Sequence, residues 1–207
     1  MTTADEQTGR YRQRRRTRAA IVTAAMGLLQ DGPAPSMAQI AEAADVSRRT
    51  IYLYFPTLEQ LLLDATLGAL TQSHVDEAIE AADPGGLDAR ARVEAMVAAL
   101  DSVSAETLPL GRSLIRLTVD QPAEGGVPRR GYRRIAWIER AIGPLRDRLG
   151  PERFERLVSA LAMVIGWEAR IVLQDIRGLP PGEQTEVILW TVRALIAAAL
   201  AGEPPAG

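Results

Sequence analysis

Residues 36–61, SMAQIAEAADVSRRTIYLYFPTLEQL, constrain the fold more than any other part of the chain. Met37, Ile40, Ala41 and Ala44 stand at i, i+3, i+4 and i+7, one apolar stripe on a short helix. Ser36 is placed to cap that helix, and Gln39 three residues on completes a capping box. Asp45 follows, one of the few non-glycine types that tolerate a left-handed turn. Val46 then turns inward, and Ser47 caps a second helix running from Arg48 to Tyr54. Pro56 ends it, because the residue before a proline avoids the α region. Thr57 with Gln60 repeats the box for a third helix. The pattern predicts a helix-turn-helix.

A rotation of roughly 100° per residue divides the middle helix into faces. Ile51 and Phe55 share the inward one. Arg49, Thr50 and Leu53 point the opposite way, with Tyr52 and Tyr54 on the flanks and Arg48 at the N-terminus. Such a set suits a DNA major groove: arginine takes guanine O6 and N7 bidentately, Thr bonds base or phosphate, and Leu meets a thymine methyl. Tyrosine hydroxyls suit phosphates, which set register rather than sequence. The plainer alternative is a helical hairpin with a solvated basic face.

SMAQIAEAADVSRRTIYLYFPTLEQLL resembles the DNA-binding domain of tetracycline-repressor-type (TetR family) regulators. The resemblance rests on I-A-x-x-A at Ile40–Ala44, V-S at Val46–Ser47, T-x-Y-x-Y-F at Thr50–Phe55, and the acid and leucine at Glu59 and Leu61. It departs at Asp45, where the family commonly has Gly, and at Leu58, where it commonly has a phosphate-binding Lys. What it implies is a homodimeric, ligand-responsive repressor of about nine helices, released from a palindromic operator when its two reading heads change spacing.

The N-terminal arm carries the second signal. RYRQRRRTR at 10–18 holds Arg10, Arg12, Arg14, Arg15, Arg16 and Arg18. A like-charged terminal block is expected to be disordered or an interaction tail. Beside a helix-turn-helix its partner would be phosphate or a narrow A·T-rich minor groove. A solubilising tail is the bland alternative. A twin-arginine export signal is mimicked but rejected, since Ile21, Ala24, Ala25 and Leu28 have helical spacing and supply the first helix of the domain. The candidate DNA-contacting set is therefore Arg14, Arg15, Arg16, Arg18, Ser36, Ser47, Arg48, Arg49, Thr50, Tyr52, Leu53, Tyr54 and Thr57.

Charge is asymmetric. Residues 10–60 hold 8 Arg against 4 acids, whereas residues 61–207 hold 16 Arg against 20. A basic end facing DNA and a remainder with another task follow from this. There is no Cys, hence no disulfide or thiolate chemistry. No apolar run approaches the ~20 residues of a membrane span. A cytoplasmic protein without a membrane partner is expected.

The remainder reads as helix, cut by Pro84-Gly85-Gly86, Pro109, Pro122 to Pro128, Gly150-Pro151 and Gly178 to Gly182. The expected segments are Leu58–Ala82, Leu87–Ser104, Leu110–Val119, Arg129–Leu149, Glu152–Arg177 and Glu183–Ala201. The fold class is thus all-α: an arm and three-helix reading domain over 1–56, and a helical effector-binding and dimerisation domain over 57–207. Apolar residues wrap more than half of the helices over 152–177 and 183–201, too much for one partner face. Packing against a second copy as a four-helix bundle is the expected use. The alternative is burial within a monomer.

An effector site is a weaker expectation. Met96, Tyr132, Trp137, Met163 and Trp167 are candidates to line an apolar cavity, although core packing uses the same residues. Glu168 lies on an otherwise apolar stripe, where an unpaired carboxylate is costly. Arg112, Arg116 or Arg170 would answer it, as would a cationic or hydroxylated small molecule, and Arg112 and Arg116 join the candidate set. His74 is expected at the surface. No Cys nucleophile, His–carboxylate cluster, P-loop or dinucleotide fingerprint is present, so neither catalysis, a cofactor nor a metal is expected. The competing reading is an architectural DNA binder with little sequence preference, driven by the arginine arm.

Overall fold

The computed structural model describes residues 3–31, 34–119 and 130–201. All secondary structure among them is helical, in ten α-helices rather than nine. They are α1 (Thr3–Asp31), α2 (Met37–Ala43), α3 (Arg48–Tyr54), α4 (Leu58–Ala81), α5 (Ala89–Ser102), α6 (Ser104–Val119), α7 (Tyr132–Ala141), α8 (Arg146–Val164), α9 (Trp167–Ile171) and α10 (Pro181–Ala201). The expected loop around Glu124 lies outside the described residues.

Contacts group the chain into two units, Met1–Leu70 with Thr107–Tyr132, and Thr71–Glu106 with Arg133–Gly207, a partition that differs from the expected cut after residue 56. The core of the first unit gathers Ile21, Val22 and Ala25 of α1, Ile40 and Ala41 of α2, Ile51 and Phe55, and Leu61 and Ala65 of α4. Ile21, Ala25, Ile40 and Ala41 come from the i, i+3, i+4 stripes that the sequence lays down, and Val22 joins them from beside the α1 stripe. In the second unit, Val93, Met96 and Val97 of α5 pack with Trp137 and Ile138 of α7, Phe154, Leu157 and Leu161 of α8, and Ile188, Val192 and Ile196 of α10.

Several boundaries depart from expectation. The arginine block is not an irregular tail: the backbone is helical from Thr3 onward. Pro109 does not break α6 but sits inside its second turn. The Gly150-Pro151 break is real, with Gly150 at φ 73° and ψ 168° between two helical stretches. The expected helix 152–177 is interrupted at Ile165–Gly166, where Gly166 adopts φ 129°. It resumes as α9 and a π-helical turn, Val172–Ile176.

Gly166 is required there for its angle. A Cβ there would also displace the Arg134 guanidinium, which lies against Gly166 through Nη1. That nitrogen donates to the Ile165 carbonyl at 3.0 Å and to Glu168 Oε2 at 2.6 Å, filling the break with a cation. α5 is tied to α10 by Glu94, which accepts from Arg193 Nε at 2.8 Å and from Arg90 Nε at 2.7 Å.

α10 is long and apolar enough by length and composition alone to cross a membrane, although Glu183, Glu186 and Arg193 interrupt its apolar run. Trp190 is 70 % exposed and Met163 of α8 78 %, with Val187 also exposed.

Candidate nucleic-acid interface

The reading head is built by local rules that the sequence states openly. Ser36 Oγ accepts the Gln39 amide, and Gln39 Oε1 accepts the Ser36 amide at 2.9 Å, closing the capping box on α2. At its other end Val46 N donates to Ala41 O at 2.9 Å and Asp45 N to Glu42 O at 3.1 Å. These two bonds make a Schellman closure, which needs one left-handed residue. Asp45 supplies it at φ 52°. Ser47 Oγ then accepts the Thr50 amide at 3.0 Å and meets Thr50 Oγ1 at 2.8 Å, starting α3. Phe55 turns extended before Pro56, and Thr57 Oγ1 accepts the Gln60 amide at 3.2 Å to open α4.

Ile51 and Phe55 are wholly buried, as the face assignment requires, while Arg48, Arg49, Tyr52 and Leu53 are exposed. Thr50 is half-buried, and Ser36, Ser47 and Thr57 are exposed at their helix N-termini. Arg16 is exposed and Arg14 and Arg15 half-buried on α1.

Two candidates leave the DNA-facing set. Tyr54 is 5 % exposed and packs in the first unit's core. Arg18 is 0 % exposed. Its Nη1 donates to the Tyr54 carbonyl at 2.9 Å and its Nη2 to Asp64 Oδ2 of α4 at 3.1 Å. A buried guanidinium persists only when paired and hydrogen-bonded, and Arg18 is both. The charge count treated it as one more member of a basic run. Its true partner, Asp64, lies 46 positions away.

The candidate effector residues divide between the units. Arg112, Arg116 and Tyr132 belong to the first; Met96, Trp137, Met163, Trp167 and Glu168 belong to the second. Met96 and Trp137 are core residues, and Trp137 Nε1 donates to Asp76 Oδ1 at 3.0 Å. Tyr132 packs in the first unit's core beneath Arg18, and Met163 faces outward instead of lining an interior. Glu168 is answered by Arg134, which the sequence reading did not name, while Arg170 pairs with Asp101 at 2.7 Å. His74 is exposed and hydrogen-bonds Ser102 Oγ at 2.9 Å. No cluster of His, Cys, Asp or Glu suited to a metal ion occurs among the described residues.

Residues 21–65 match the family model described as bacterial regulatory proteins, tetR family. Over 81 residues the chain is 42 % identical to the HTH-type transcriptional repressor LfrR of Mycolicibacterium smegmatis, a stretch covering 38 % of this chain. The match spans 42 % of that relative's length. Among solved structures, a tetR-type transcription regulator from Shewanella sp. PV-4 aligns at 20 % identity over 86 % of this chain and 97 % of that one, with a TM-score of 0.43. LfrR of Mycobacterium smegmatis in complex with proflavine aligns at 26 % identity over 86 % of this chain and 96 % of that one, with a TM-score of 0.35. The caps, turn and reading helix just described fall within residues 21–65, the stretch in which this chain matches the tetR family of bacterial regulatory proteins.

Proposed function

We propose that this protein is a sequence-specific transcriptional repressor that binds a pseudo-palindromic operator as a homodimer and leaves it when a small molecule binds. The observation that carries the reading is α3: seven residues, propped by Ile51 and Phe55, that present Arg48, Arg49, Tyr52 and Leu53 outward. Arginine forks and a thymine-sized apolar contact on one rigid rod match base edges in a major groove. Thr50, Ser47, Thr57 and Ser36, with Arg14, Arg15 and Arg16 of α1, are assigned to phosphates and the flanking minor groove. The exposed large apolar side chains Met163 of α8 and Val187 and Trp190 of α10 support a second copy as their cover. Two copies related by a two-fold axis would read half-sites one or more helical turns apart.

Selection from a pool of randomised duplexes tests this. Enrichment of an inverted repeat is the expected result. A steep salt dependence with no enriched sequence would instead establish the architectural reading. For the effector arm, proflavine is the first probe, given the complex recorded for LfrR. It is titrated against protein alone, because a planar aromatic cation also stacks between base pairs. Saturable binding to the protein supports an effector site. Its absence removes proflavine and cations like it.

A further inference from the structure

Arg18 closes a run of arginines whose exposed members face solvent, yet it is fully buried. Its guanidinium is gripped on edge and on face. The edge donates to the last carbonyl of α3, at Tyr54, and to Asp64, whose side chain is 2 % exposed. The faces meet the Phe55 ring, 3.9 Å from its centroid, and the Tyr132 ring at 5.3 Å. All of these groups belong to the first unit.

This arrangement answers a need of α3. A helix of seven residues is far too short to hold its own shape, and its last carbonyls have no donor within the helix. Arg18 supplies a charged donor to one of them and fixes that donor to α4 through Asp64. A lysine would offer a point charge with neither the fork nor the plane that this site uses. A shift at the Tyr54 end moves every outward side chain of α3 together, because they share one rigid rod.

We propose that Arg18 is the positioning residue of the reading head, with Asp64, Phe55 and Tyr132 as its clamp. It sets the angle at which Arg48, Arg49, Tyr52 and Leu53 meet a duplex, and it does so without touching DNA. The proposal rests on α3 being the reading helix.

Arg18→Lys, Asp64→Asn and Tyr132→Leu, made in the full chain, test it by two measurements. In free protein, hydrogen–deuterium exchange over residues 48–56 is expected to rise about tenfold in Arg18→Lys, with α5 and α10 unchanged. With DNA, affinity is compared between the duplex most enriched by the wild type and a scrambled duplex of equal length and salt. The ratio is expected to fall about tenfold or more, while the scrambled affinity holds, since phosphate contacts survive a mis-set rod. Asp64→Asn and Tyr132→Leu are expected to follow Arg18→Lys in direction. Unchanged exchange and ratio overturn the proposal. So does a proportional loss on both duplexes that tracks the folded fraction by circular dichroism, which would make Arg18 a stabilising residue only. If the wild type enriches no sequence, the regulator reading fails, and exchange alone still decides whether Arg18 holds α3.

Discussion

Arg49 and Arg18 are the same residue type with opposite fates, and the difference lies in what surrounds each. Arg49 stands exposed on the outer face of α3, whereas Arg18 disappears into the core beneath it. Replacing Arg49 by alanine is expected to relax base preference at one position per half-site, at a cost of about 1–3 kcal/mol in discrimination. Sequence selection with the variant checks this, and an unchanged preference would mean that α3 faces DNA differently. Side chains governed by neighbours three or four places away were legible from the chain alone: Ser36 with Gln39, Ser47 with Thr50, Asp45 in its left-handed turn, Ile51 and Phe55 inward. Tyr54 and Arg18 were not: the Tyr54 side chain is buried in the first unit's core, and Arg18 is held by groups 36 and 46 positions away. Helical phase puts Tyr54 on a flank, and only tertiary packing shows that this flank is covered.

Among elements, the helix between α8 and α10 shows where periodicity misleads. Its apolar stripe runs unbroken through Ile165 and Gly166, so pattern alone predicts continuity. What fills the break is Arg134, 31 positions earlier, whose guanidinium lies against Gly166 and donates to the Ile165 carbonyl. Gly166→Ala is therefore expected to destabilise by about 2 kcal/mol or more, through a strained φ and a displaced guanidinium, as read by urea unfolding. The mirror case is Pro109, which reads as a breaker and lies within α6.

The tie between α5 and α10 gives a pH test. Hydrogen bonding from Arg193, opposed by burial and reinforced by Arg90, holds the Glu94 carboxyl at about 2, below its ordinary 4.5. A depressed folded-state value means the carboxylate's contribution is complete above 4.5 and is lost as pH falls toward 2. With the side chain partly in solvent, that contribution is about 1 kcal/mol. The stability gap between wild type and Glu94→Gln is expected at neutral pH and should close across that acid window in thermal melts. A gap that persists below it would show that the charge is not its source.

At the scale of the whole molecule, the evident unfinished surface is the outer side of α8 and α10, with Met163, Val187 and Trp190 in water. Trp190→Glu is expected to convert a two-copy particle into a single copy by light scattering, with helical content retained. It should also weaken operator binding far more than a loss at one half-site would. A particle that stays double would locate the contact elsewhere. If a second copy is what covers Trp190, folding and self-association share one equilibrium, and melting temperature rises with protein concentration. Regulation by such a chain would then depend on its own abundance: a cell that dilutes it loses the pairing, and with it the grip on the operator, before any effector arrives.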